Sequence, residues 1–204
     1  MIAVIDYGVG NLFSLSASLK YIGAESAVTS DESVIRGSSA IILPGVGAFA
    51  DAYKKLENSG LIPVLRTEVA AGKPVLGICL GMQLLFDRSF EYGEHEGLGL
   101  IPGEVRPIAP DLKDRLKVPH MGWNSLDFCR PSPLYKYLNG GEYVYFVHSY
   151  YAKNCEDFVT ATNSYGGIDL TASAERGNVF GTQFHPEKSG ATGLKILRAF
   201  SEMK

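Results

Sequence analysis

Short apolar runs alternate with amphipathic stretches along the first 90 positions. Ile2, Ala3, Val4 and Ile5 form a continuous apolar run that stops at Asp6 and enters the turn Tyr7-Gly8-Val9-Gly10-Asn11. Leu12, Leu15, Leu19 and Ile22 then recur at the spacing that stacks side chains on one helix face, and Gly23 follows where helices are commonly capped. Residues 24–29 and 40–43 read as a second and a third strand, the third breaking at Pro44-Gly45-Val46-Gly47. Residues 51–71 read as helical, broken near Gly60 and Pro63, and residues 75–78 as a fourth strand leading into an apolar helix start at Met82, Leu84, Leu85 and Phe86. Apolar runs without alternation, separated by helices, predict a parallel sheet covered on both faces.

The second half has a different pattern. Residues 103–108, 143–148, 159–162, 168–174 and 179–184 are strand-like with short turns between them, and a helix from about Ala191 turns Ile196, Phe200 and Met203 inward. The expectation is an α/β protein with an open, mostly parallel central sheet flanked by helices and antiparallel or mixed strands in the C-terminal half. Those later strands either extend the same sheet or form a small companion sheet. With no repeat, low-complexity tract or linker, the chain is expected to be one domain over residues 1–204.

The fourth strand ends in Gly77-Ile78-Cys79-Leu80-Gly81, the cysteine counterpart of a nucleophile elbow. A sharp strand-to-helix turn lifts the side chain clear of the backbone, and flanking glycines let neighbouring main chain press against it. A helix N-terminus at Cys79 favours the thiolate, the reactive form. Taken alone, a lone cysteine is more often an inert buried thiol. Gln183-Phe184-His185-Pro186-Glu187 changes that balance. Pro186 biases His185 toward extended backbone, where side chains two apart share a face, so Glu187 can reach back to the imidazole. Cys79, His185 and Glu187 thus supply nucleophile, base and orienting carboxylate.

Acyl chemistry at a thiolate needs backbone donors for the carbonyl oxygen. The N–H of Leu80 is one, and the glycine-rich turn at 44–47 offers a second, at Val46 or Gly47. Gly8 and Gly10 after the first strand resemble a dinucleotide fingerprint only in part, because Phe13 stands where its third glycine belongs. In open parallel sheets ligands bind beyond the carboxyl ends of the strands. The turns at 7–11 and 44–47, the elbow and the His185 segment all follow strands, so they are expected on one rim. Pro119-His120-Met121-Gly122-Trp123-Asn124 reads as a loop, its tryptophan either packed or an interface anchor, and the strand from Tyr143 to Tyr150 ends in polar residues that can line a pocket.

Composition narrows the class. A net charge of −3 with no basic run argues against nucleic acid as a partner, and no apolar stretch reaches the length of a membrane helix. Cys79, Cys129 and Cys155 are an odd, widely spaced set without a C-x-x-C pair, which predicts free thiols, no metal site and a reducing cytoplasm. The N-terminus starts a strand at once and has no basic segment, unlike a signal peptide.

The strings GICLGMQ and FHPE resemble the class I (triad) glutamine amidotransferases. IDYGVGN, LPGVGAF, PHMGWN, YFVHSY and FHPEKS are similar to the branch of that class that serves imidazole glycerol phosphate synthesis in histidine biosynthesis. The resemblance spans residues 4–189 and implies a glutaminase that needs no cofactor and forms a glutamyl thioester on Cys79. It further implies glutamine binding by Gly47, Gln83, Ser149 and Tyr150, and ammonia delivery to a (β/α)₈-barrel cyclase forming a heterodimer, with Asn11, Trp123 and Lys188 near that partner. Glutaminases of anthranilate, aminodeoxychorismate or pyridoxal-phosphate synthases are the alternatives inside the class. A dienelactone-type cysteine hydrolase, whose acid usually precedes the histidine by many residues, and a non-catalytic binding module fit less well.

Overall fold

The protein alternates strand and helix through its first 84 residues. In the computed structural model, which describes residues 1–203, these elements are β1 Ile2–Ile5, α1 Leu12–Tyr21, β2 Ser26–Thr29, α2 Glu32–Gly37, β3 Ala40–Leu43, α3 Phe49–Asn58, α4 Leu61–Ala70, β4 Val75–Ile78 and α5 Leu80–Leu84. Lys204, the last position of the expected domain, lies outside the described residues. The second half contributes β5 Phe86–Ser89, β6 His95–Glu96, β7 Ile101–Pro107, β8 His120–Ser125, β9 Asp127–Phe128, β10 Tyr143–His148, β11 Tyr150–Lys153, β12 Val159–Tyr165, β13 Ile168–Arg176, β14 Val179–Thr182 and α6 Gly190–Ser201.

The main sheet has eight strands in the order β2-β1-β3-β4-β14-β13-β12-β9. Pairing is parallel from β2 through β14 and antiparallel from β14 to β9. The later strands therefore do both things the sequence allowed: some extend the main sheet, while β11-β7-β5-β6 form a companion sheet and β10-β8 a two-stranded ribbon. The unbroken apolar runs follow from burial on both faces. In β1, Ala3 and Ile5 pack with Leu56, Leu61 and Leu65 of α3 and α4, while Ile2 and Val4 pack with Leu15, Leu19, Ile196 and Phe200 of α1 and α6.

Three expectations are corrected, and one short helix goes unforeseen. The helix at 51–71 breaks at Gly60, whose φ of 74° favours glycine, but Pro63 sits in the first turn of α4, where its missing N–H costs nothing. The predicted helix through Phe86 stops at Leu84. The carbonyls of Leu84, Leu85 and Phe86 accept N–H groups from Leu98, Leu100 and Gly99, long-range bonds that take the acceptors a helix would use. The stretch around Trp123 is strand β8, paired with β10, not a loop. The six-residue α2, capped where the Asp31 side chain accepts from Ser33 N–H at 2.7 Å, has only Ile35 buried, too short an apolar pattern to read. Among the described residues, no helix is long and apolar enough to cross a membrane.

Candidate active site

β4 and β14 are adjacent and parallel, with Gly77 beside Gly181 and Ile78 beside Thr182, so both chains leave the sheet at the same rim. The pairing continues one residue further, Cys79 N–H donating to Thr182 O at 2.7 Å. Sheet order alone therefore brings Cys79 and His185 together. Cys79 has φ 54° and ψ −111°, a left-handed backbone that a non-glycine residue holds only at a cost of about 1–3 kcal/mol. The flanking glycines have steric reasons. A Cβ on Gly81 would lie 1.9 Å from Leu43 O, and one on Gly77 would lie 2.6 Å from Gly81 O. No side chain fits while β3, β4 and the elbow stay this close.

His185 is extended, at φ −97° and ψ 99°. Glu187 does not return to it along an extended chain, as expected, but through the single 3₁₀ turn Pro186–Lys188. Its Oε1 accepts from His185 Nδ1 at 2.8 Å, and the two side chains are only 2% and 4% exposed. Burial alone pulls the imidazole down. Its contacts with the Cys79 thiol and with Glu187 more than reverse that and push it up to about 9. Glu187 Oε2 is buried without a partner among the described residues. Ser189 braces the segment, its Oγ donating to His185 O at 2.6 Å and accepting Tyr145 N–H at 2.9 Å.

Cys79 and His185 open into a cavity of about 340 Å³, near the lower end for small-molecule sites and suited to an amino acid. Val46, Gly47, Leu80, Gln83, Ser149 and Tyr150 are among the residues that line it. Gln83 Nε2 donates to Tyr150 O at 3.2 Å and to Gln183 Oε1 at 2.9 Å, so both its amide hydrogens are used and Oε1 is the atom left for a ligand. Gln183 is fully buried and approaches Cys79 Sγ with its own Nε2 at 3.7 Å.

Three residues that the sequence reading passed over belong here. Gln183 opens the Gln183-Phe184-His185-Pro186-Glu187 stretch, directly before FHPE, but carries no signal by type. Glu91, in a turn after β5, lines the cavity and accepts Phe49 N–H at the start of α3. Tyr7 donates to Pro44 O at 2.7 Å and pins the glycine-rich turn; burial first, then nearby Cys79, raise its phenol well above the ordinary range, so it stays a donor. Only their neighbours in space identify them.

The residues expected near a partner fall in two places. Asn11 caps α1 through Ser14 N–H and lines a narrow crevice with Glu187 and Val46, so the turn at 7–11 backs the site without lining the cavity. Trp123, 55% exposed, stands edge-on to Tyr145 with ring centroids 6.2 Å apart, and Lys188 Nζ lies 6.0 Å from the same ring. Met121 and Tyr143 extend the apolar surface of this ribbon. Among the described residues, no group of His, Cys, Asp and Glu is disposed to hold a metal.

The sequence matches the family described as glutamine amidotransferase class-I over residues 3–203. It is 51% identical over 203 residues to the imidazole glycerol phosphate synthase subunit HisH of Lacticaseibacillus casei, covering 100% of this chain and 96% of that protein. The same-named subunit of Caldanaerobacter subterraneus subsp. tengcongensis is 50% identical over 204 residues, covering 100% and 98%. The fold is similar to a crystal structure of a glutamine amidotransferase, with a TM-score of 0.75 at 21% identity over 98% of this chain and 97% of that one.

Proposed function

We propose, since the chain belongs to the class-I glutamine amidotransferase family, that it is the glutaminase subunit of an imidazole glycerol phosphate synthase. It hydrolyses glutamine to glutamate and ammonia for histidine biosynthesis. The observation that carries this reading is one cavity holding a cysteine on a strained elbow beside a histidine whose Nδ1 is bonded to a buried carboxylate.

In this reading the Cys79 thiolate attacks the side-chain amide carbon of glutamine and forms a carbon–sulfur bond. The resulting oxyanion is held by Leu80 N–H and by a backbone donor at Val46 or Gly47. His185, oriented by Glu187, hands its proton to the amide nitrogen as the carbon–nitrogen bond breaks and ammonia leaves. It then takes a proton from the water that attacks the thioester, releasing glutamate. Thiol, imidazole and carboxylate suffice, without cofactor or metal. The α-ammonium of glutamine is matched by Gln83 Oε1 and the Glu91 carboxylate, both acceptors on the cavity wall. Gly47, Ser149 and Tyr150 enclose the rest.

Ammonia released into neutral water becomes ammonium, which is no nucleophile, so the chemistry favours delivery inside a complex. A (β/α)₈-barrel cyclase is the partner we propose, docked over Asn11, Trp123 and Lys188. The exposed aromatic and apolar ribbon of Met121, Trp123 and Tyr143 supports that placement. The test is glutamate release by the purified chain with a cyclase present: Cys79→Ala should abolish it while circular dichroism stays unchanged. Turnover that survives in Cys79→Ala overturns the reading.

A further inference from the structure

Behind the cavity lies a second buried polar chain that the reaction does not use. His148 is on the cavity wall and His120 is behind it, 5% and 3% exposed, with His120 Nδ1 2.9 Å from His148 Nε2. His148 Nδ1 is 2.9 Å from Tyr150 O. A carbonyl only accepts, so His148 carries its hydrogen on Nδ1. In the neutral ring Nε2 is then bare and must accept, which places a hydrogen on His120 Nδ1 and leaves His120 Nε2 bare in turn.

The far end closes consistently. Asn124 Oδ1 accepts Ser125 N–H at 2.9 Å, which fixes the amide orientation. Its Nδ2 therefore faces both Ser164 O at 2.9 Å and His120 Nε2 at 3.4 Å. The His120 ring is held between Tyr165 and Phe146, with centroids 4.2 and 4.9 Å away. Donors thus run in one direction from Asn124 through His120 and His148 to the Tyr150 carbonyl. Burial lowers both imidazoles, His148 to about 3 and His120 to about 4, in keeping with neutral rings. The Tyr150 carbonyl is also where Gln83 donates, so two separate chains meet on one oxygen of the cavity wall.

We propose that His120 is a positioning residue for the glutamine cavity. Through His148 it holds the Tyr150 carbonyl, and with it the wall formed by Tyr150, Ser149 and Gln83. This inference rests on the glutaminase reading for its kinetic consequence, though not for its hydrogen-bond pattern. His120 touches no reacting atom, so the effect falls on glutamine capture rather than on bond breaking.

The test uses the full chain, assayed with the cyclase present, and two substitutions. His120→Phe keeps a flat ring and removes the donor; His120→Asn returns an N–H near the place of Nδ1. His120→Phe should raise KM for glutamine about tenfold, the scale of one lost buried hydrogen bond, with kcat changed less than about twofold. His120→Asn should bring KM back to within about threefold of wild type. A His120→Phe protein with wild-type KM overturns the proposal, as does a loss confined to kcat. Nitrogen-15 spectra of the wild-type imidazoles give a check that needs no variant to fold: both His120 and His148 should be neutral with hydrogen on Nδ1. Hydrogen on Nε2 of either ring overturns the proposal. A wild-type protein that shows the Nδ1–H pattern but does not hydrolyse glutamine with the cyclase present refutes the glutaminase reading and with it the kinetic role of His120.

Discussion

Glu187→Gln isolates the charge of the carboxylate from its shape. In the native protein His185 stands at about 9 against an ordinary 6.5, although burial acts in the opposite direction. At about 1.4 kcal/mol per pH unit, that gap is a net preference for imidazolium of about 3 kcal/mol, shared between Cys79 and Glu187. Solvent screens it little, since the side chains are 2% and 4% exposed. A histidine raised on folding contributes stability that is complete below pH 6.5 and is lost as pH rises through about 9. The substitution should therefore cost about 2 kcal/mol of unfolding free energy at pH 6, with the difference from wild type shrinking steadily toward pH 10. Urea unfolding at four or five pH values measures it. In glutamate release at neutral pH the same loss should lower kcat roughly 30-fold, because a neutral amide no longer stabilises the charged ring. A destabilisation that is the same at pH 6 and pH 10 would show that the Glu187 charge does not act through His185. Turnover below that of Cys79→Ala would remove the assigned roles.

A glutamine-analogue electrophile such as diazo-oxo-norleucine should label Cys79 and spare both exposed Cys129 and Cys155, whose burial pushes its thiol up to about 11; mass spectrometry showing Cys129 or Cys155 modified first contradicts the nucleophile. Trp123→Ala should leave any hydrolysis by the isolated chain within about twofold of wild type and weaken cyclase binding by about 2 kcal/mol or more, the usual scale for an interface tryptophan. Superimposable cyclase titrations of the variant and wild type would exclude Trp123 from the interface. Gly81→Ala should destabilise the protein by at least about 2 kcal/mol, because its new methyl carbon would fall 1.9 Å from Leu43 O; a denaturation midpoint equal to wild type would mean that β3 moves aside freely.

The parts of the fold that could be read along the chain are those where local pattern and burial agree. β1, β3 and β4 are continuous apolar runs because both faces of the parallel sheet are covered. The elbow was legible because its demands are local: a turn, a thiol, two glycines. β8 was not legible, since His120-Met121-Gly122-Trp123-Asn124 carries loop-forming residues and becomes a strand only by pairing with β10. Phe86 was misread because the carbonyls that would have continued α5 are taken by residues 98–100, which local periodicity cannot register. The same limit applies to the site. The His185–Glu187 pair is two positions apart and visible, whereas Tyr7, Glu91 and Gln183 acquire a purpose only from neighbours 37, 42 and 104 positions away.

The insertion of β14 between β4 and β13 bears on how the chain is made. During synthesis β1 to β4 emerge first, and their sheet ends in an open edge with Cys79 at its tip. The Cys79 N–H has no acceptor at Thr182 until β14 arrives, and the imidazole comes three residues later still. Pairing across a separation this long belongs late in folding. On the roles proposed for Cys79 and His185, the strand that seals the middle of the sheet is therefore also the one that arms the thiol, and an unfinished or C-terminally clipped chain would carry its cysteine without spending glutamine.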